Sequence, residues 1–269
     1  VDAASTTNTT NFSSTVAPTI GASSNQSGDN PFMGYIASLR VVKGSGVSSS
    51  TIPTAPLTAI TNTSALLNFT NAGITDATAK NDGETASSAQ ISTAAYKFGG
   101  SSMLFDGDMD CVVFPSSPNF NFGTGDFTIE GWYNWNSLSQ SGDGVMVLFV
   151  CGQSGTSQAQ LKWTTSNTLA IDINAGNRFT YSFTPVVGTW YHFALVRTNG
   201  STYTLYINGN PAVSGTYAYT QVQDQMAVGG INWVNNYSFK GYVNDFRVTK
   251  GYARYVQPFT PPTQADQLY

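Results

Sequence analysis

Two Asn-Gly dipeptides, Asn199-Gly200 and Asn208-Gly209, punctuate runs of alternating side chains, and this pattern leaves little choice of fold. Asn-Gly supplies the two positive-φ residues of a type I′ turn, whose twist joins neighbouring antiparallel strands. Thr189–Thr198, Thr202–Ile207 and Ala212–Thr216 therefore read as consecutive hairpin strands. Tyr203, Leu205 and Ile207 would face one way and Thr204 and Tyr206 the other, as in a strand with one covered side. The same signs recur upstream. Ala65–Phe69 is a short apolar run, Ser101–Asp106 and Cys111–Phe114 flank a turn at Asp106-Gly107, and Phe127, Ile129, Gly131 and Tyr133 alternate with Thr128, Glu130 and Asn134. Many such strands without a helical period imply an all-β fold, an antiparallel two-sheet jelly-roll sandwich.

Composition agrees. Charged residues make up only 10% of the 269, and the only glutamates are Glu84 and Glu130. Thr, Ser, Asn, Gly, Val, Phe and Tyr take the place of the residues helices favour. With 11 basic side chains scattered singly against 15 acidic ones, there is no electrostatic footprint for a phosphate backbone, so nucleic acid is not an expected partner. The longest apolar run, Val145–Cys151, is far short of the roughly 20 residues a spanning helix needs, and no membrane insertion is expected. The chain starts at Val1 without a basic-then-apolar leader, which reads as a targeting peptide absent or already removed. Cys111 and Cys151 allow one disulfide, or a pair of small buried residues, and cannot form a cysteine-based zinc site alone.

The chain divides into three parts. Residues 1–31 are Ser, Thr, Asn and Gly with few large apolar groups (Phe12, Val16, Ile20), too little to offset the entropy of ordering a domain, and read as an arm. An internal repeat follows: Phe32-Met-Gly-Tyr-Ile-Ala-Ser-Leu-Arg-Val-Val-Lys-Gly44 matches Phe239-Lys-Gly-Tyr-Val-Asn-Asp-Phe-Arg-Val-Thr-Lys-Gly251 at seven of thirteen positions. Both copies run into a Pro/Thr-rich exit, Ile52–Pro56 and Pro258–Pro262. The offset, 239 − 32 = 207 residues, is the size of a whole β domain. Residues 32–60 therefore look like an orphan strand and linker closing a preceding repeat. Either the chain is a piece of a longer tandem array, or Phe32, Tyr35, Ile36, Leu39 and Val41 form an assembly strand that docks on another subunit. Residues 61–269 form the sandwich.

Six segments of that last part resemble one family. Ala65–Phe69, Lys97–Gly107, Phe122–Trp132, Gly188–Arg197, Leu205–Gly209 and Gly241–Val248 follow, in order, the signature strands of the laminin G-like domain of the concanavalin A-like lectin/glucanase class, in the version found in bacteriophage and marine viral structural proteins. The resemblance implies the sandwich. It does not choose a function, since this fold hosts enzymes, lectins, adhesion modules and structural units.

The enzymatic relatives that the resemblance brings in cleave glucans with two carboxylates on one strand face. Glu84 and Glu130 stand forty-six residues apart, and Asp172 stands alone where a pair would be needed, so no enzyme is expected. His192, the only histidine, shares its strand face with Trp190, Ala194 and Val196 and reads as a satisfied core histidine. Asp245 and Arg247, two apart on one strand, read as a pair or a loop brace. Asp106, Asp108 and Asp110 begin like a helix-loop-helix calcium loop, but Cys111 and Ser117 stand where that loop requires Gly and Glu. The resemblance leaves calcium as the one cofactor to consider, with Asp106, Asp108, Asp110, Asn119 and Asp126 as its candidate ligands; the alternative is aspartates serving as turn formers and backbone acceptors.

Glycan recognition by such sandwiches would use rim loops, where an aromatic face stacks on a sugar ring and Asn or Asp take its hydroxyls. Trp233, Asn235, Asn236 and Tyr237 in one loop, with Tyr217, Tyr219 and Trp163 on similar rims, have that composition; the same residue types also suit subunit contacts. Asn-x-Ser/Thr triplets, among them Asn199, are glycosylation acceptors only in a secretory pathway. The sequence thus leads to a non-enzymatic structural or adhesion subunit of a virion or extracellular surface assembly, such as a fibre, decoration or appendage protein. Its expected partners are further copies of itself, other surface proteins and a cell-surface glycan. The alternatives are a lectin-like receptor-binding module and, remotely, a glycan depolymerase.

Overall fold

The computed structural model describes the backbone of residues 39–42 and 63–67, and residues 81, 83–139, 144–152, 159–222, 224–231 and 237–265. Two compact units result, Val1–Asn71 and Ala72–Tyr269. In the first, β1 (Leu39–Val42) pairs antiparallel with β2 (Thr63–Leu67), setting Leu39 opposite Leu67 and Val41 opposite Ala65. The run expected to open the sandwich thus supplies β2, and its partner is the strand of the repeat segment. Phe32, Tyr35 and Ile36 lie outside the described residues.

The second unit is the sandwich. Its described strands are β3 (Glu84–Ala86), β4 (Gln90–Ser92), β5 (Ser102–Asp106), β6 (Cys111–Phe114), β7 (Phe127–Trp135), β8 (Val145–Cys151), β9 (Ala159–Thr164), β10 (Thr168–Ile173), β11 (Gly176–Ser182), β12 (Trp190–Thr198), β13 (Thr202–Ile207), β14 (Asn210–Thr216), β15 (Met226–Val228) and β16 (Lys240–Lys250). Among the described residues they form two seven-stranded sheets, β11-β10-β9-β8-β15-β6-β3 and β14-β13-β12-β7-β16-β5-β4, with every pairing antiparallel. One 3-10 turn, Pro118–Phe120, is N-capped by Ser117.

The Asn-Gly signals mark the hairpins as expected: Asn199 and Asn208 take φ of 51° and 49°, followed by Gly200 at 68° and Gly209 at 80°. Alternation aims Phe127, Ile129, Tyr133 and Trp135 of β7, and Phe193 and Leu195 of β12, into one core with Leu148, Phe149, Leu161, Trp163 and Leu169 of the facing sheet. Arg197 is also fully buried there. It donates to the carbonyls of Phe122, Gly123, Gly125 and Tyr219, and its guanidinium lies 4.8 Å from the centre of the Phe127 ring. A buried cation is tolerated when its donors are all engaged. Arg197 thereby fixes the 122–125 loop just before β7.

One feature exceeds the one-sided pattern. All nine residues of β7 are buried, the outward-facing Thr128, Glu130, Trp132 and Asn134 included. Part of the cover is the Pro/Thr-rich segment after β16, which lies over the outer face of this sheet, and Phe98 and Lys97 pack on Trp132. The segment's Ala253, Tyr255 and Phe259 pack on Ala194, Val196 and Tyr206.

Candidate functional site

The outer face of β7 carries a carboxylate that is fully engaged. Glu130, 1% exposed, accepts from Arg247 Nε and Nη2 at 2.9 and 2.7 Å and from Tyr255 Oη at 2.7 Å. His192 Nε2 and Arg254 Nε stand 3.3 and 3.4 Å away. Burial alone would raise the Glu130 pKa, but the His192 hydrogen bond, the Arg247 charge and the Tyr255 hydroxyl together hold it below the usual glutamate range. Burial, with Glu130 behind it, pushes the Tyr255 phenol up to about 12. His192 is therefore satisfied on one side only: its Nδ1 is buried without a hydrogen-bond partner. Arg247 braces Glu130, and a bulge between Asn244 and Arg247, with Asp245 at φ 52°, interrupts the alternation of β16 there.

This cluster anchors the C-terminal segment. Tyr255 stacks on Phe259 at 3.5 Å between ring centres, Phe259 N donates to Gly209 O at 2.9 Å, and Arg254 N donates to Thr128 Oγ1 at 2.9 Å. The anchored segment forms one wall of a hollow whose other wall is the β12–β13 hairpin. The hollow holds about 380 Å³ and is lined by Asp126, Thr198, Asn199, Thr204, Tyr206, Gly251, Tyr252, Ala253 and Val256. Asp126 joins the walls: its Oδ1 accepts from Gly200 N at 3.0 Å, and its carbonyl from Gly251 N at 2.8 Å. Gly200 is required here, since a Cβ would lie 2.6 Å from Thr124 O and φ is positive. Tyr252 and Val256 are 63% and 74% exposed, so an aromatic and an aliphatic side chain stand beside a carboxylate, an amide and two threonine hydroxyls.

The other candidates lie elsewhere. Tyr217 and Tyr219 lie together, their ring centres 6.4 Å apart and both partly packed on the core. The Arg178 guanidinium covers Tyr217 at 4.3 Å, and Asn174 Nδ2 donates to its hydroxyl at 3.4 Å. Tyr237 packs on Val147, Val150, Ala227 and Ile231. Trp233, Asn235 and Asn236 lie outside the described residues. Trp163 is a correction: 1% exposed, it faces Trp135 in the core and its indole donates to Phe183 O at 2.9 Å. The alternation Ala159, Leu161, Trp163 against Gln160, Lys162, Thr164 is the signal that marks it as inward-facing.

The five calcium candidates do not form one set. Asp110 is buried, its Oδ1 accepting from Ser88 N and its Oδ2 from Asp106 N. Asp106 caps Ser88 and Asp108 N. Asn119 donates to Asn81, and Asp126 bonds Gly200. Asp108 spends its carbonyl on Ser87. Among the described residues, no three His, Cys, Asp or Glu side chains gather as a metal site. Lys162 Nζ holds Asp172 at 2.9 Å, and Glu84 is exposed on the edge strand β3. Cys111 and Cys151 are buried free thiols, and burial pushes Cys111 up to about 11 and Cys151 further up. Sequence reasoning missed Tyr252 and Val256, which stand between the repeat and the Pro/Thr-rich exit at Pro258–Pro262.

Comparison with known proteins gives a consistent picture. The family model described as the concanavalin A-like lectin/glucanases superfamily matches residues 106–253. No curated protein matches by sequence. Among solved structures, the receptor-binding domain of botulinum neurotoxin C/D mosaic serotype superposes with a TM-score of 0.50 at 12% identity, over 64% of this chain and 44% of that one. The binding domain of botulinum neurotoxin serotype G gives 0.50 at 12% identity, over 70% and 45%. The chain thus matches less than half the length of either.

Proposed function

This chain belongs to the concanavalin A-like lectin/glucanases superfamily, and from that membership we propose that it is a non-enzymatic, lectin-like recognition module that holds a glycan in the hollow between Asn199 and Tyr252. The carrying observation is the lining itself. A sugar offers an apolar C–H face and a ring of hydroxyls, and the hollow sets an exposed Tyr252 ring beside Asp126, Asn199, Thr198 and Thr204. Its volume lies within the roughly 300–1,000 Å³ of small-ligand sites. The receptor-binding role of the neurotoxin domains that share the fold is in keeping with this use.

The acids support the non-enzymatic half. Glycoside hydrolysis needs two carboxylates converging on one bond. Glu130 is buried among its partners, Asp172 is held by Lys162, and Glu84 is on an edge strand. Display outside a cell, on a virion or another surface assembly, completes the reading; the scarcity of flexible charged side chains suits it. A second reading is a subunit that assembles through the repeat segment, although β1 of that segment pairs within this chain, with β2.

The test is binding to an immobilised glycan set, with reducing-sugar release followed in parallel. The expected result is retention of some glycans, loss of that retention in Tyr252→Ala, and no release. A blank array, retention unchanged in Tyr252→Ala, or measurable turnover would contradict the proposal.

A further inference from the structure

We infer that the hollow selects an uncharged sugar over one bearing a carboxylate or sulfate, and that Asp126 is the specificity-determining residue; this rests on the reading of the hollow as a glycan site. An ionised carboxylate accepts hydrogen bonds and donates none, so it favours a ligand rich in donors, such as a sugar diol. Asp126 is held for that role. Gly200 N takes its Oδ1, leaving its second oxygen without a protein partner among the described residues.

The rest of the lining fixes the sign of the selection. Asp126 is the one charged side chain among the nine lining residues. The cations nearest in sequence to the lining residues have other partners. Arg247 and Arg254 face Glu130, Lys250 Nζ donates to Pro118 O at 2.7 Å, and Arg197 is buried with its guanidinium on backbone carbonyls. An anionic sugar entering the hollow would find a like charge and no counter-charge, the arrangement by which a site rejects a competitor. A neutral sugar would find donors and acceptors in Asn199, Thr198 and Thr204, and an apolar edge in Tyr252 and Val256.

The experiment titrates the intact chain with the neutral glycan it retains best and with the sialylated or sulfated counterpart of the same core. The neutral form should bind at least tenfold more tightly. Asp126→Asn, whose amide oxygen can still accept from Gly200 N, should weaken neutral binding and narrow the gap to threefold or less. Thr204→Lys, which adds a cation to the lining without touching Asp126, should raise binding of the acidic form. Equal or tighter binding of the acidic glycan by the unaltered chain, or a gap unchanged in both variants, overturns the charge selection while leaving the site in place. Loss of all glycan binding, or binding indifferent to Tyr252→Ala, overturns the site and the inference together.

Discussion

Asp126 stands just before β7 and Glu130 four residues further on, within the strand, and their surroundings give them opposite uses. Glu130 is enclosed by two arginines, a histidine and a tyrosine; Arg247 and His192 tie it to the neighbouring strands, and Tyr255 and Arg254 tie the C-terminal segment to the sheet. Asp126 is half-buried, takes one backbone N–H from the hairpin turn, and lines the hollow. The difference shows that spare hydrogen-bonding capacity at a surface, rather than the presence of an acid, marks a group available to a ligand. A buried carboxylate with a full set of partners is structure; a partly solvated one with a single partner is a contact waiting to be made.

Removing each group should separate the two roles. The largest effect is expected from Glu130→Ala, which strands Arg247, Arg254 and His192 around an emptied site; breaking a buried ion pair from one side costs about 3–5 kcal/mol. Urea unfolding should show it as a lower midpoint, and a loss under about 1 kcal/mol would mean the cluster is not what holds the segment. Tyr255→Phe keeps the stack on Phe259 but deletes a hydrogen bond to a charged group, worth about 1.5–3 kcal/mol. Amide exchange should rise over residues 252–259 more than in the strands beneath them; uniform protection would contradict the segment's dependence on this bond.

Acidity probes the same contact. Because Glu130 is held below its usual 4.5 in the folded chain, its contribution to stability is present above 4.5 and is lost as pH falls through the folded value. Tyr255 works in the other direction, its contribution being lost as pH rises from 10 through about 12. Glu130→Gln should flatten the acid limb of a pH–stability curve, and an unchanged limb would assign it to other carboxylates. The smallest expected effect on stability is that of Asp126→Asn, within about 0.5 kcal/mol as for most surface changes, although the same variant weakens glycan binding. A large stability loss there would erase the contrast.

The sequence reveals these two regions unequally. The hairpin wall is legible, because Asn199-Gly200 and Asn208-Gly209 encode their turns locally and alternation sets which side chains point outward. The opposite wall is not. Residues 251–262 carry Pro, Thr and Tyr without a strand period, and what places them is a bond between Tyr255 and Glu130, 125 residues apart in sequence. For that reason Glu130 shows in the sequence as an isolated strand acid and Asp126 as a calcium candidate. Trp163 teaches the converse: its residue type suits a rim, but its phase in Gln160–Thr164 already places it inside.

The most direct test of the central claim is a crystal structure of the intact chain with the neutral glycan it binds best. A sugar ring resting on Tyr252, with a hydroxyl donated to Asp126, is the predicted result. A ring bound instead over Tyr217 and Tyr219, or along the 232–238 loop, with the hollow holding only solvent, would contradict it.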